Sequence, residues 1–192
     1  AMLLLTLRGT PTLYYGDEIG MKQVLIPEDK IQDPFEKNVP GLGLGRDGSR
    51  TPMQWDDGPY AGFSDVEPWL PLADDYTEVN VKAEQGNSTS MLTLTKALLA
   101  LRRAHPALST GAYHNLGAWG DLMVYERDGG GERMLVVLNL GAEPAQLRLP
   151  RSAPSGEVLL STFLDRQGEI ISGPIDMRPN EGVVVQLHPE EE

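Results

Sequence analysis

The chain opens Ala1-Met2-Leu3-Leu4-Leu5-Thr6-Leu7-Arg8-Gly9-Thr10-Pro11-Thr12-Leu13-Tyr14-Tyr15-Gly16, and the change of texture at Gly9 decides the fold class. Met2-Leu7 is apolar from the outset and has no polar N-cap before it. It predicts the last turns of a buried helix, closed by Gly9 in the C′ position. Thr10-Gly16 is β-branched and aromatic, bracketed by Pro and Gly, which predicts a strand of the buried type. Helix, short turn, strand is the αβ step of a parallel α/β architecture. A chain that starts inside a helix is expected to be a piece of something longer.

Working outward, Gly16 to about residue 85 is rich in Gly, Pro, Asp and Trp and predicts a long loop. Loops of that length inside a compact domain are uncommon and usually functional. Ser88-His105 predicts the clearest helix: Leu92, Leu94, Ala97, Leu98, Leu101 and Ala104 recur on a 3.6-residue face, and Arg102, Arg103 and His105 suit its C-terminal end. Pro106 stops it. Beyond Ala107 short strands are predicted at Leu122-Arg127, Arg133-Leu140, Ala145-Leu149, Glu157-Leu164, Glu169-Ser172 and Val183-His188. Asp128-Gly129-Gly130-Gly131 and Asp165-Arg166-Gln167-Gly168 are turns among them. Strands at this spacing argue for an antiparallel β-sandwich, and Glu190-Glu192 for a solvated tail. The expected organisation is α/β over residues 1-107, then an all-β domain over 108-192.

Length and charge narrow the class further. The 192 residues are too few for a complete (β/α)₈ barrel, which takes about 250. Sixteen basic against 28 acidic residues give a formal charge of -12. With no Lys/Arg patch to offset it, that charge repels phosphate backbones and disfavours nucleic acid as a partner. No apolar run approaches the roughly 20 residues that span a bilayer, so no membrane partner is expected. Met2-Leu7 lacks the flanks of a signal peptide. With 0 cysteines there is no disulfide framework and no thiolate-ligated metal; the expected location is cytoplasmic.

Several constellations invite chemistry. Gly43-Leu44-Gly45-Arg46-Asp47-Gly48 fits G-x-G-x-x-G, but no strand precedes it and no helical pattern follows, so the dinucleotide reading fails. Asp17-Glu18, Asp56-Asp57 and Asp74-Asp75 are adjacent carboxylates. A glycosidase needs two carboxyls facing across the scissile bond, whereas neighbours on extended backbone point to opposite faces. Asp17-Glu18 follows directly on the expected strand, where α/β barrels build active sites; a turn anchor is the plainer role. His105, His114 and His188 show no metal-ligand spacing, and no cofactor is expected. Arg46, Asp47, Arg50, Gln54, Trp55 and Asp56 form a dense polar and aromatic cluster. Arg forks, carboxylates and an indole face are groups that recognise sugar hydroxyls and pyranose faces, and equally groups that brace a loop.

Taken in order, Leu7-Arg8-Gly9-Thr10-Pro11-Thr12-Leu13-Tyr14-Tyr15-Gly16-Asp17-Glu18-Ile19-Gly20-Met21, Asp33-Pro34-Phe35-Glu36-Lys37, Gly45-Arg46-Asp47-Gly48-Ser49-Arg50-Thr51-Pro52-Met53-Gln54-Trp55-Asp56, Ala61-Gly62-Phe63-Ser64, Pro68-Trp69-Leu70-Pro71 and Ala100-Leu101-Arg102-Arg103-Ala104-His105-Pro106-Ala107-Leu108 resemble the C-terminal third of the α-glucosidase and oligo-1,6-glucosidase branch of the α-amylase superfamily (glycoside hydrolase family 13). The resemblance covers nearly the whole chain. It implies that Thr10-Gly16 is the eighth barrel strand, that the loop rims the active site, that Ser88-His105 is the eighth helix and that the rest is the C-terminal β-sandwich. It also implies that the nucleophilic Asp, the acid/base Glu and the stabilising Asp of a retaining mechanism, and the usual metal site, lie in polypeptide preceding residue 1. The chain alone is then expected to be inactive and to need the missing N-terminal barrel portion as its partner.

What the resemblance carries onto this chain is substrate holding. Arg46 matches the arginine that binds glucose hydroxyls in the innermost subsite, and Arg50, four residues on, is the second candidate. The implied substrate is an α-glucoside oligosaccharide. Two other readings stand beside this one: a non-catalytic carbohydrate-binding or domain-packing β module, and a part of a trehalose synthase or sucrose isomerase on the same scaffold.

Overall fold

The computed structural model describes residues 1–149 and 155–188; the expected tail Glu190-Glu192 lies outside them. Among these residues five α-helices occur in order, with short 3₁₀ turns between them: α1 Met2–Thr6, α2 Pro34–Asn38, α3 Val81–Gln85, α4 Met91–Ala104 and α5 Pro106–Ser109. The strands are β1 Ala112–Trp119, β2 Leu122–Gly129, β3 Glu132–Asn139, β4 Ala145–Leu147, β5 Ser155–Ser161, β6 Ile170–Ile171, β7 Ile175–Met177 and β8 Gly182–His188. The chain divides into two compact units, one made of Ala1–Thr12 with everything from Leu94 onward, the other of Leu13–Thr93.

The first unit is organised by a six-stranded sheet of order β1-β2-β3-β8-β5-β6 and a two-stranded β4-β7 ribbon, with antiparallel pairing throughout. Along β3, Leu135 and Val137 join Val124, Val158, Val183 and Val185 in one core, which Leu147 of β4 and Ile175 and Met177 of β7 complete. Met134, Val136 and Leu138 point the other way. There they meet Met2 and Leu5 of α1, Leu94 and Leu98 of α4, and Ala107 and Leu108 of α5. Successive strand residues face opposite sides, so a strand covered on both faces reads as an unbroken apolar run, as Met134-Leu138 does. Each such side chain contributes roughly 1.5–3 kcal/mol by leaving water.

Turn chemistry closes the hairpins. Gly129 pairs with Glu132 across Gly130 and Gly131, whose φ angles of 67° and 82° suit the two-residue turns that match strand twist. Below β8, Arg178 grips Asp165 at 2.6 and 2.7 Å and also reaches Glu181 at 2.6 Å. Its guanidinium lies 4.3 Å from the Phe163 ring centroid. Arg166 joins Glu181 to Glu169.

The strands foreseen within the sheets are present with shifts of a residue or two at most ends, and the long helix starts at Met91 rather than Ser88. Pro106 both stops that helix and begins α5 at its first position, where a missing N–H costs nothing. β1 and β7 were not foreseen. β1 is largely exposed and bulged between Asn115 and Gly117, so burial imposes no alternation on it.

Two readings of the opening segment need correction. α1 ends at Thr6, and Gly9, with φ 120°, is not its C′ residue. Orphan carbonyls at a helix end need donors, and here arginines supply them. Arg102 donates to Leu5 at 2.8 Å, Leu7 at 3.2 Å and Gly9 at 2.6 Å. Arg127, fully buried, donates to the carbonyls of Thr6, Leu108 and Gly111. The expected strand Thr10-Gly16 does not form: residues 10–14 have no regular structure and pair with no described strand, and Tyr15 and Gly16 form a turn, Gly16 with φ 89°. Strand composition alone makes no ladder without a neighbour.

In the second unit no strand occurs among the described residues. It is nonetheless ordered. Ile19, Met53 and Leu92 form a small core with Met21 and Val81. The side-chain amide of buried Gln54 donates to the Val79 carbonyl, while the Gln54 backbone carbonyl accepts from the Val81 amide at 3.0 Å. Glu84 and Ser90 accept the first amides of α4, from Leu92 at 2.8 Å and Thr93 at 3.1 Å.

Candidate active site

Arg46 is set by a residue thirteen positions earlier. The Asp33-Pro34 pair starts α2: Asp33 is its N-cap, accepting from the Phe35 amide at 2.9 Å, and Pro34 takes the first position, where its fixed φ suits the helix. The same carboxylate accepts from the Arg46 amide at 2.9 Å, from Nε at 2.8 Å and from Nη2 at 3.2 Å. Such a bidentate fork fixes the guanidinium plane as well as adding energy. The Asp33 side chain has no exposure and that of Arg46 is 61% exposed, so the pair presents a fixed cation outward. The Arg46 guanidinium and the surrounding amides hold the Asp33 carboxyl far below the usual range.

Asp47 completes the arrangement by accepting from the Gln32 and Asp33 amides at 2.6 and 2.7 Å. Glu36, on α2, accepts from the Gly41 amide at 3.2 Å and the Gly45 amide at 2.9 Å. Gly41 and Gly43 take φ of 80° and 65°, and Leu42 and Leu44 between them are exposed. The Gly43–Gly48 run thus belongs to a carboxylate-held loop.

Arg50 stands elsewhere. It lines a concave site of about 650 Å³ with Tyr15, Glu18, Trp55, Phe63 and Trp69; Arg46 does not line it. Tyr15, Trp55, Phe63 and Trp69 are all substantially exposed. The Tyr15 hydroxyl donates to the Thr51 carbonyl at 2.9 Å. Burial raises the Tyr15 pKa above its usual value. Among the described residues the Arg50 side chain has neither an ion-pair nor a hydrogen-bond partner. The two arginines are therefore different objects, one braced and one unbraced.

The adjacent carboxylates are occupied locally. Asp17 accepts from the Tyr14 amide at 3.0 Å and Glu18 from the Gly16 amide at 2.8 Å. Asp56 accepts from Gly58 at 2.8 Å, while Asp57 and Asp75 pair with Lys82 and Lys22 at 2.7 Å each. His105 contacts Glu132 at 3.1 Å. Among the described residues no group of His, Asp and Glu has the arrangement of a metal site, and no helix is long and apolar enough to cross a membrane. On the sheet, Tyr125 is buried with Tyr113 beside it at 5.3 Å, and Phe163 lies under Arg178.

Sequence reading named Arg46, Asp47, Arg50, Trp55 and the Asp17-Glu18 pair but gave no role to Asp33, Glu36, Phe63 or Trp69. The Asp-Pro start signal of α2 was the available clue to Asp33. Nothing local announces that its second oxygen serves an arginine.

The chain resembles known proteins over almost its full length. It is 33% identical to the oligo-1,6-glucosidase of Bacillus cereus, across 97% of this chain and 37% of that protein. It is 34% identical to a probable alpha-glucosidase of Rhizobium meliloti, across 87% of this chain and 31% of that one. The trehalose synthase/amylase TreS of Mycobacterium tuberculosis is 40% identical across 77% of this chain and 24% of its own length. Among solved structures, a variant of the trehalulose synthase MutB in complex with glucose superimposes with a TM-score of 0.86 at 30% identity. The isomaltulose synthase PalI of Klebsiella sp. LX3 gives the same values, and in both comparisons 97% of this chain covers 37% of the other. The chain thus spans between 24% and 37% of the length of these proteins. The model of the alpha amylase catalytic domain matches residues 1–111, and the chain belongs to the α-amylase family.

Proposed function

We propose that this chain is the C-terminal part of a retaining α-glucosidase that removes terminal α-linked glucose from short oligosaccharides, and that its own task is to hold the sugar. The observation that carries this reading is the Arg46–Asp33 fork: one edge of the guanidinium is pinned, while Nη1 has no partner among the described residues and 61% of the side chain is exposed. A cation fixed in one plane with donors to spare suits a pair of sugar hydroxyls. Arg50 among Tyr15, Trp55, Phe63 and Trp69 is the second sugar contact, with the aromatic faces for the pyranose ring.

In this reading the catalytic carboxylates come from polypeptide outside the chain. Supporting it, five of the six adjacent carboxylates, all but Asp74, are engaged with backbone amides or lysines. Thr10-Gly16, which pairs with no described strand, becomes the eighth barrel strand in this reading only with neighbours from that other portion. Residues 1-107 are then the barrel's last unit, and 108-192 its β-sandwich companion. Among the described residues no row of exposed aromatics on the sheet favours an independent carbohydrate-binding module; Trp119 stands exposed on β1 without another beside it.

A second reading, isomerisation or transfer on the same scaffold, is favoured by the 40% identity to the trehalose synthase and the 0.86 TM-scores to trehalulose and isomaltulose synthases. Product analysis separates the two. The complete enzyme is incubated with maltose, isomaltose and sucrose: glucose release supports the α-glucosidase, and a rearranged disaccharide supports the isomerase. The 192-residue chain alone is expected to release no nitrophenol from a nitrophenyl α-glucoside; metal-independent turnover by it would overturn the assignment of chemistry to the other portion.

A further inference from the structure

One five-residue helix touches Arg46 by two routes. Asp33, its N-cap, binds the Arg46 amide and guanidinium. Glu36, one turn on, binds the amides at both ends of the Gly41–Gly45 loop that leads directly into Arg46. Asp47, on the far side of Arg46, returns the connection by accepting the Gln32 and Asp33 amides. Three carboxylates therefore fix the backbone before Arg46, the side chain of Arg46 and the backbone after it. A loop needs one such anchor to be ordered. Holding a single exposed arginine from three directions is the arrangement expected where its direction matters to a ligand.

We propose that Asp33 and Glu36 are positioning residues for the sugar contact made by Arg46, Asp33 fixing the guanidinium plane and Glu36 the path of the loop that delivers it. The proposal rests on the reading of Arg46 as that contact. Leu42 and Leu44 extend this loop into solvent. Glu36 has to hold them in place because the glycines on either side allow many backbone paths.

The test is made in the complete enzyme, with KM and kcat for maltose measured for Arg46→Ala, Asp33→Asn, their double variant and Glu36→Gln. Asparagine keeps one acceptor but turns an N–H₂ toward the guanidinium, so Asp33→Asn is expected to raise KM about tenfold with a smaller change in kcat. In the Arg46→Ala background the same substitution should change KM by less than about twofold, because a residue acting through Arg46 has nothing left to position. An undiminished effect there, or a wild-type KM in Asp33→Asn, overturns the proposal. Glu36→Gln is expected to raise KM about threefold and to speed amide exchange at Gly41 and Gly45. Being half-buried, it serves should Asp33→Asn fail to fold. Unchanged exchange there refutes the role of Glu36 whatever KM does. Should Arg46→Ala itself leave KM unchanged, it is the sugar contact that fails, and fast exchange in Glu36→Gln then shows the bracket intact but serving something else.

Discussion

The Asp33 and Asp47 side chains each accept a backbone amide from the other's segment. Asp47 accepts the Asp33 amide at 2.7 Å, while Asp33 accepts the amide of Arg46, the residue just before Asp47, at 2.9 Å. Two segments without a strand between them are thus tied as a short ladder would tie them, with carboxylates in place of carbonyls. Charge-assisted bonds of this kind are each worth about 1.5–3 kcal/mol. Asp47→Ala should free both amides, at Gln32 and Asp33, and hydrogen exchange is expected to accelerate there while the strand amides of β3 stay protected.

Arg50 supplies the opposite case. Because no described residue pairs with it, Arg50→Ala is expected to leave the thermal midpoint within a degree or two. Loss of one charged contact should lower kcat/KM for α-glucosides about tenfold or more. Arg50→Lys should recover little, since an ammonium cannot reproduce the fork. Unchanged kcat/KM would remove Arg50 from the site.

β3 is the stability centre of the first unit. Leu135→Ala, at a residue with no exposure, should cost about 2–5 kcal/mol in denaturant unfolding. Leu42→Ala, at an exposed position, should stay within about 0.5 kcal/mol.

Arg127 has no exposure and donates only to backbone carbonyls. Burial lowers its pKa without removing the charge at neutral pH. Arg127→Met keeps much of the volume but abandons those carbonyls. It is expected to destabilise by about 3 kcal/mol, with α1 fraying first by hydrogen exchange.

The Arg178 guanidinium, helped by the Ser161 hydroxyl, holds the Asp165 carboxyl down to about 2. A folded-state pKa below the unfolded one means a contribution fully present above about pH 4 and lost as pH falls through about 2. The side chains are 42% and 48% exposed, so solvent keeps the effect below about 1 kcal/mol. Asp165→Asn should flatten the acid limb of the stability profile by that amount and change nothing at pH 7 beyond it.

Much of this architecture was legible in the sequence because burial writes itself into periodicity. α4 showed through Leu94 and Leu98, and β3 and β8 through unbroken apolar runs covered on both faces. β1 was illegible for the converse reason, since a bulged and largely exposed strand selects no pattern. Thr10-Gly16 had a strand's composition but forms no ladder, because pairing depends on neighbours that composition does not encode. At the site, both arginines were visible, yet their difference was not. Whether a guanidinium is braced depends on Asp33, thirteen residues away and joined to it only in three dimensions.

β8 lies between β3 and β5 in the middle of the six-stranded sheet, although it follows both, and every other described strand, in chain order. Until Gly182–His188 leaves the ribosome, β1-β2-β3 and β5-β6 are two separate parts of the sheet, each with an open edge where β8 must insert. Contacts of such long sequence separation form slowly, and unpaired edges invite association with other chains meanwhile. Translation stalled before residue 182 therefore leaves a nascent chain with the facing edges of β3 and β5 open and their apolar side chains uncovered, a form that a chaperone would have to shield.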